Sequence, residues 1–202
     1  MAGVFITFEG IDGCGKSTQM RLLASELRVR GLNVVSTREP GGTPLAEKLR
    51  AMVLAESMDP LSETLLMFAA RFDHVQKVIR PALQRGAWVI CDRFTDATVA
   101  YQGGGKGVPA DLIRRLAEST HPDLTPDQTL VFDCPYDVSR SRLSASGRTL
   151  DRFEAEAREF FERVRAAYKA LADSEPSRIR IIDGSRAPSE VKAEVEKLIL
   201  ID

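Results

Sequence analysis

The run Gly10-Ile11-Asp12-Gly13-Cys14-Gly15-Lys16-Ser17 fits G-x-x-x-x-G-K-[ST]. A loop that wraps phosphate oxygens with backbone N–H groups needs glycines, because side chains block the close approach. Lys16 offers a point charge for the β- and γ-phosphates, and Ser17 offers a hydroxyl for Mg²⁺. A helix starting near Lys16 aims its positive end at the same anion. The stretch Gly10 to Thr18 is therefore expected to bind a nucleoside triphosphate.

Arginines supply the second chemical signal. Arg38 and Arg93 each stand next to a predicted strand end, and Arg71 lies on a long helix pattern. Arg140, Arg142, Arg148 and Arg152 crowd one polar segment. Arginine grips phosphate oxygens in a bidentate fork, and bringing two phosphate-bearing substrates together needs cations on both sides of the transferred group. A guanine-reading Asn-Lys-x-Asp element is absent, since Asn33 is the only asparagine, which argues against a GTPase switch. No apolar strand ends in Asp-Glu, as a motor ATPase would require; the third ends at Asp92-Arg93 and the fourth at Asp133-Cys134.

The elements that must position these groups follow from periodicity. Val4 to Phe8 reads as a buried strand ahead of the loop, and Met20, Leu22, Leu23 and Leu27 follow at helical spacing up to Gly31. Further strands are predicted at Val34–Thr37, Ala87–Cys91, Thr129–Asp133 and Ile179–Ile182. Helices are predicted at Leu45–Val53, over Ser62 to Leu83 with a bend near Pro81, at Pro109–Ser119, from Phe153 to Leu171, and from Val191 to Ile199. Tyr101 to Gly107 reads as a flexible glycine-rich loop, and residues 140–152 as a mobile, basic segment. Alternating strand and helix predicts a three-layer α/β domain of P-loop NTPase type, with a five-stranded parallel sheet flanked by helices and a short lid.

At 202 residues with a net charge of −1, one domain over residues 1–202 is expected, with no nucleic-acid or membrane surface. No run spans a bilayer and no signal peptide precedes the first strand, so a cytoplasmic protein is expected. Cys14, Cys91 and Cys134 lie far apart, without metal-ligand spacing, and read as reduced, mostly buried thiols; Cys14 reads as small filler in the loop. His74 and His121 sit in no catalytic constellation.

Thr37-Arg38-Glu39-Pro40-Gly41-Gly42-Thr43, Phe68-Ala69-Ala70-Arg71, Asp92-Arg93-Phe94 and Ala100-Tyr101-Gln102-Gly103-Gly104-Gly105 follow the phosphate loop in that order. This set resembles the bacterial thymidylate kinases, over essentially the whole chain. The resemblance implies phosphoryl transfer from ATP to dTMP, with Mg²⁺ as cofactor, in a homodimer. Arg38 and Arg93 would hold the monophosphate, with Glu39 and Pro40 beside them. Phe68 would stack on thymine, although periodicity alone places it in the core with Leu65 and Phe72. Arg71 would reach the thymine carbonyl, Thr98 the ring, and Tyr101 would exclude a 2′-hydroxyl, with Gln102 at the same pocket. Asp12 would approach the sugar 3′-hydroxyl, and Glu9, Asp92 and Ser17 would lie near the metal.

Gly13 stands where some family members carry an arginine, so the lid over about 140–152 would supply that charge through Arg148 and Arg152. Arg142 and Arg186 would border adenine. The acceptor is a phosphate that is mostly dianionic at neutral pH, so Lys16, Arg93, Arg148, Arg152 and Asp92 would act by alignment and charge neutralisation, without a general base.

Overall fold

The structure is a computed structural model in which residues 3–145, 147 and 151–200 are described. Five strands, β1 (Val4–Glu9), β2 (Val34–Arg38), β3 (Trp88–Asp92), β4 (Gln128–Asp133) and β5 (Ile179–Asp183), form one parallel sheet in the order β2-β3-β1-β4-β5. The predicted strands and parallel sheet are all present. β1 is central, with Ile6 opposite Ile90 of β3 and Gln128 of β4. Chain order reverses about β1, so its carboxyl end lies at the switch point where such sheets bind ligands.

Side chains alternate across the strands, which builds two cores. Ile6, Phe8 and Ile90 pack with Leu23 and Leu27 of α1 (Lys16–Val29). Phe5, Val89 and Cys91 pack with Val75, Ile79 and Ala82. Further helices are α2 (Pro44–Ala55), α3 (Pro60–His74), α4 (Arg80–Gln84), α5 (Thr95–Thr98), α6 (Ala110–Thr120), α7 (Tyr136–Ala145), α8 (Arg158–Ser174) and α9 (Pro188–Ile199). The sheet and its helices make the expected three layers.

Four details differ from the sequence reading. The long helix is interrupted by a π-helical stretch, Val75–Ile79, ahead of Pro81. Proline has no N–H to donate and its ring crowds the carbonyl four residues back, so the preceding turn widens. The glycine-rich stretch is not a loop: Val99–Gly105 is π-helical, with Tyr101, Gln102 and Gly105 buried. Its glycines admit α8, since a Cβ on Gly105 would lie 2.4 Å from Phe160 Cε2 and one on Gly104 2.6 Å from Ala167 Cβ. The basic segment begins as helix α7, and the helix predicted from Phe153 starts only at Arg158.

The fourth difference is covalent. Cys14 and Cys134, expected as separate thiols, are disulfide-bonded, with Cα atoms 5.7 Å apart. β1 and β4 are parallel neighbours, so residues past their carboxyl ends meet although 120 positions separate them. Cys91 is the free, buried cysteine.

Candidate active site

The phosphate loop joins β1 to α1. Gly10, Gly13 and Gly15 have φ of 118°, 82° and 92°. These angles favour glycine, and space demands it twice: a Cβ on Gly10 would lie 2.1 Å from Phe132 O, and one on Gly13 2.6 Å from Ser139 O. Lys16 is buried; its Nζ donates to Gly10 O at 2.9 Å, Ile11 O at 3.0 Å and Asp12 Oδ1 at 3.3 Å. Ser17 and Thr18 are exposed.

Arg142 donates to Gly13 O at 3.2 Å, Gly184 O at 2.7 Å and Ser185 O at 3.3 Å. It thus ties the loop to the turn after β5. Arg186 lies on that turn, paired with Glu194. Ser139 Oγ donates to Asp12 O at 2.6 Å, a support that nothing in the motif signals.

Beside the loop lies a cavity of about 290 Å³, walled by Asp12, Arg38, Glu39, Pro40, Arg71, Asp92, Arg93, Thr98, Tyr101 and Gln102 among others. Every one of these was singled out from sequence. Arg93 follows β3 with φ 70°, a conformation that L side chains rarely adopt. Its N–H donates to Phe8 O at 2.9 Å, and Nη2 lies 3.0 and 2.9 Å from the two Asp12 carboxylate oxygens. Burial acts to raise the Asp12 carboxyl, but Arg93 and Lys16 outweigh it and hold the group well below its ordinary range. The Arg93 guanidinium also lies over the Tyr101 ring, 4.7 Å from its centroid.

Arg71 is buried between Phe68 and Phe94, at 4.8 and 5.2 Å from their ring centroids. It donates to Glu39 Oε2 at 2.6 Å, Phe94 O at 3.0 Å and Thr98 Oγ1 at 3.0 Å. His74 sits 2.9 Å from the other Glu39 oxygen and 2.6 Å from Thr37 Oγ1, so it braces Glu39. Burial opposes ionisation of Glu39, and Arg71 with His74 reverse that and lower it. His121 is buried, and its pKa falls to about 4 through desolvation and then the charge of Arg71.

Three residues stand otherwise than the resemblance implied. Phe68 is buried behind Arg71 and is not among the cavity walls; Pro40, Leu54, Met67, Phe94 and Phe153 form the apolar wall. Leu65 and Phe72, its supposed core companions, are both 48 % exposed. Glu9 is fully buried and not among the cavity walls; its oxygens accept from Phe94 N at 2.7 Å and Tyr168 OH at 2.6 Å, so it organises the floor of the site. Arg152 donates to Val53 O at 2.7 Å and pairs with the buried Glu63. Arg148 lies outside the described residues.

Glu63 was missed from sequence. It also accepts from Gln102 Nε2 and Lys106 Nζ, each at 2.8 Å. A glutamate in a first helical turn reads as a solvated capping charge, and nothing local shows that two distant segments converge on it.

Four buried atoms have no hydrogen-bond partner among the described residues and belong to cavity walls: Arg71 Nη1, Arg93 Nη1, Tyr101 OH and Asp92 Oδ1. Buried polar groups are ordinarily satisfied, so a wall that leaves these open is shaped for an outside polar group. The guanidinium of Arg93 beside the phosphate loop suits an anionic group at that end of the cavity.

Fold and site together define a P-loop kinase of the nucleoside monophosphate class. The family profile described as thymidylate kinase matches residues 8–195. Thymidylate kinase of Methylobacillus flagellatus is 56% identical over 195 residues, 96% of each chain. Thymidylate kinase of Bordetella petrii is 58% identical over 193 residues, covering 96% of this chain and 93% of that one. The crystal structure of thymidylate kinase from Ehrlichia chaffeensis matches with a TM-score of 0.80 at 39% identity, covering 98% and 99% of the two chains. The chain belongs to the thymidylate kinase family.

Proposed function

We propose that this chain transfers the γ-phosphoryl group of ATP to dTMP, giving dTDP and ADP for dTTP synthesis. The carrying observation is the set of unpaired polar atoms on residues that wall the cavity beside the phosphate loop: Arg71 Nη1, Arg93 Nη1, Tyr101 OH and Asp92 Oδ1. The loop from Gly10 to Thr18 takes the ATP phosphates, with Lys16 leaving its carbonyl partners for them, and Arg142 and Arg186 border the adenine side. Arg38 and Arg93 hold the dTMP phosphate; Arg71 and Thr98 face the base against Pro40, Leu54 and Met67. Phe68 supports Arg71 from behind.

The donor set fits Mg²⁺. Asp92 Oδ1 is unpaired and Ser17 is exposed at the loop, while no cluster of three or more His, Cys, Asp or Glu occurs among the described residues. Mg²⁺ keeps several waters and leans on substrate phosphates, so Asp92 and Ser17 would hold it beside the nucleotide. Bound there, it neutralises charge on the phosphate oxygens. The chain's own groups align the two substrates and exclude water, and the dianionic acceptor needs no base.

The homodimer has its own support. Leu45 and Met52 of α2, and Leu61, Leu65 and Phe72 of α3, are 43–48 % exposed on two adjacent helices. An apolar stripe of that kind suits a second copy of the chain. No helix among the described residues is long and apolar enough to cross a membrane, in keeping with work in the cytoplasm.

A coupled ADP-release assay across a panel of nucleoside monophosphates tests the reading. ADP release that depends on dTMP supports it. Release without an acceptor, or with a different preferred acceptor, overturns it. Light scattering tests the dimer, and a monomer at micromolar concentration would decide against it.

A further inference from the structure

The phosphate loop carries a covalent tie that the kinase reaction does not use. Cys14 lies two residues before Lys16, and Cys134 directly follows β4. Their Cα separation of 5.7 Å is typical of disulfides, and both residues are 1% exposed. Cys134 is among the residues that wall an open cavity of about 520 Å³, together with Pro135, Asp183 and Ser185. The loop around Cys14 has little slack elsewhere. Gly184 passes so close that a Cβ there would lie 2.4 Å from Cys14 O, and Arg142 holds Gly13 O.

We propose that Cys14 and Cys134 form a reversible thiol–disulfide site, closed by low-molecular-weight disulfides, that lowers the affinity of the phosphate loop for ATP. One cysteine thiolate attacks a sulfur of the disulfide R–S–S–R, forming a mixed disulfide and releasing one thiolate R–S⁻. The second cysteine thiolate attacks the protein sulfur of that mixed disulfide, closing Cys14–Cys134 and releasing the second R–S⁻. The two cysteines lose two protons and two electrons; R–S–S–R gains them and leaves as two thiols. In the bonded form Lys16 Nζ rests on Gly10 O, Ile11 O and Asp12 rather than facing the loop's mouth. ATP must draw Lys16 off those acceptors and reshape the loop. A tether from Cys14 to the end of β4 opposes that change. Cys91 takes no part: it is fully buried in β3, and burial first, then the charge of Glu39, pushes its thiol up.

The effect on ATP rests on the function proposed above; the covalent site does not. The full chain is reduced and desalted, and one half is incubated with oxidised glutathione. Both halves are alkylated with iodoacetamide under denaturing conditions and mapped. The expected result is three labelled cysteines in the reduced sample and Cys91 alone in the oxidised one. Closing so long a loop should raise Tm by about 5–15 °C, reversibly on adding dithiothreitol. Binding of a fluorescent ATP analogue should weaken several-fold on oxidation and recover on reduction. Affinity for dTMP should stay unchanged. Cys134→Ser should bind the analogue as the reduced protein does and ignore oxidised glutathione. Labelling of all three cysteines in both samples overturns the site. A mapped Cys14–Cys134 bond with unchanged analogue binding overturns its effect on ATP. Failure of the function reading has a separate signature, namely no dTMP-dependent ADP release from the reduced protein.

Discussion

The two carboxylate oxygens of Asp12 lie 3.0 and 2.9 Å from Nη2 of Arg93, joining the phosphate loop to the end of β3. Nη1 of the same guanidinium has no partner among the described residues. Arg93 is thus aimed by one nitrogen and free to act with the other. A lysine carries its donors on one nitrogen and lacks the planar fork that holds Asp12 with one nitrogen and presents another to a second partner. Arg93→Lys is expected to lose on the order of 10²-fold or more in kcat/KM for dTMP, the scale of a desolvated charge contact. Steady-state kinetics on a variant with native circular dichroism checks this, and near-normal turnover would remove Arg93 from the site.

Lys16 carries a second prediction. Its Nζ satisfies two loop carbonyls from a buried position, so the residue is part of the loop's packing as well as its charge. Lys16→Met should abolish most dTMP-dependent ADP release. It should also cost about 1–3 kcal/mol of stability, because the carbonyls lose their donor. Urea denaturation alongside the kinase assay tests both halves. Normal turnover would sink the phosphate-loop assignment.

What the sequence shows and hides has physical causes. Strands were legible because β1, β3 and β4 are buried on both faces and read as short apolar runs, such as Trp88 to Cys91. The walls of the cavity were legible because they lie at strand ends and in distinctive motifs. Glu63 was not, since its partners Gln102, Lys106 and Arg152 come from distant segments. The π-helical run Val99–Gly105 was hidden for a related reason. Three glycines read as a loop until Phe160 and Ala167 of α8 are known to press against them. The Cys14–Cys134 bond needs the β1–β4 pairing, which spacing along the chain does not reveal.

Glu9 gives a pH prediction. Burial first, and then the charge of Asp96, push its carboxyl up from 4.5 to about 8. The folded protein therefore holds a proton that the unfolded chain releases above its ordinary carboxylate range. That contribution is fully present below the unfolded value and is lost as pH rises through about 8. Tm should decline from about pH 5 to about pH 8 and level off above that, and Glu9→Gln, which keeps an acceptor for Phe94 N and a partner for Tyr168, should flatten the decline. Calorimetry at several pH values tests it. Parallel curves for the two proteins would mean that Glu9 does not titrate there.

Tyr101 governs the sugar in the proposed function. Arg93 lies over its ring, and Phe153, Phe160 and Tyr168 make edge contacts with it. A ring so braced cannot step aside for a 2′-hydroxyl. The ribonucleotide of thymine should be a far poorer acceptor than dTMP. Discrimination against dUMP should be milder, because one methyl in an apolar pocket is worth only about 1–3 kcal/mol. Comparing kcat/KM for the three acceptors decides the point, and equal values for the two sugars would take this role from Tyr101.

Arg152 and Lys106 share the single carboxylate of Glu63, so the cluster holds one more cation than it needs. If Arg152 is drawn toward the transferred phosphoryl group, Glu63 keeps Lys106 and Gln102, and no buried charge is orphaned. Lys106 has no such freedom, because its loss would leave Glu63 to Arg152 and hold that arginine in place. Gly13 leaves the phosphate loop without an arginine of its own, so the charge must come from elsewhere. Arg152→Ala is therefore expected to lower kcat much more than it raises KM for dTMP, the pattern of a contact made in the transition state. An arginine acting on a transferring phosphoryl can be worth about 10³–10⁵ in rate. Lys106→Met should instead lower stability and also reduce kcat, by fixing Arg152 on Glu63. Arg148→Ala, made alongside, shows whether the other arginine of that segment shares the task. A normal kcat in Arg152→Ala would assign Arg152 to anchoring Phe153 and the cavity wall, and would leave Arg148 as the source of the charge.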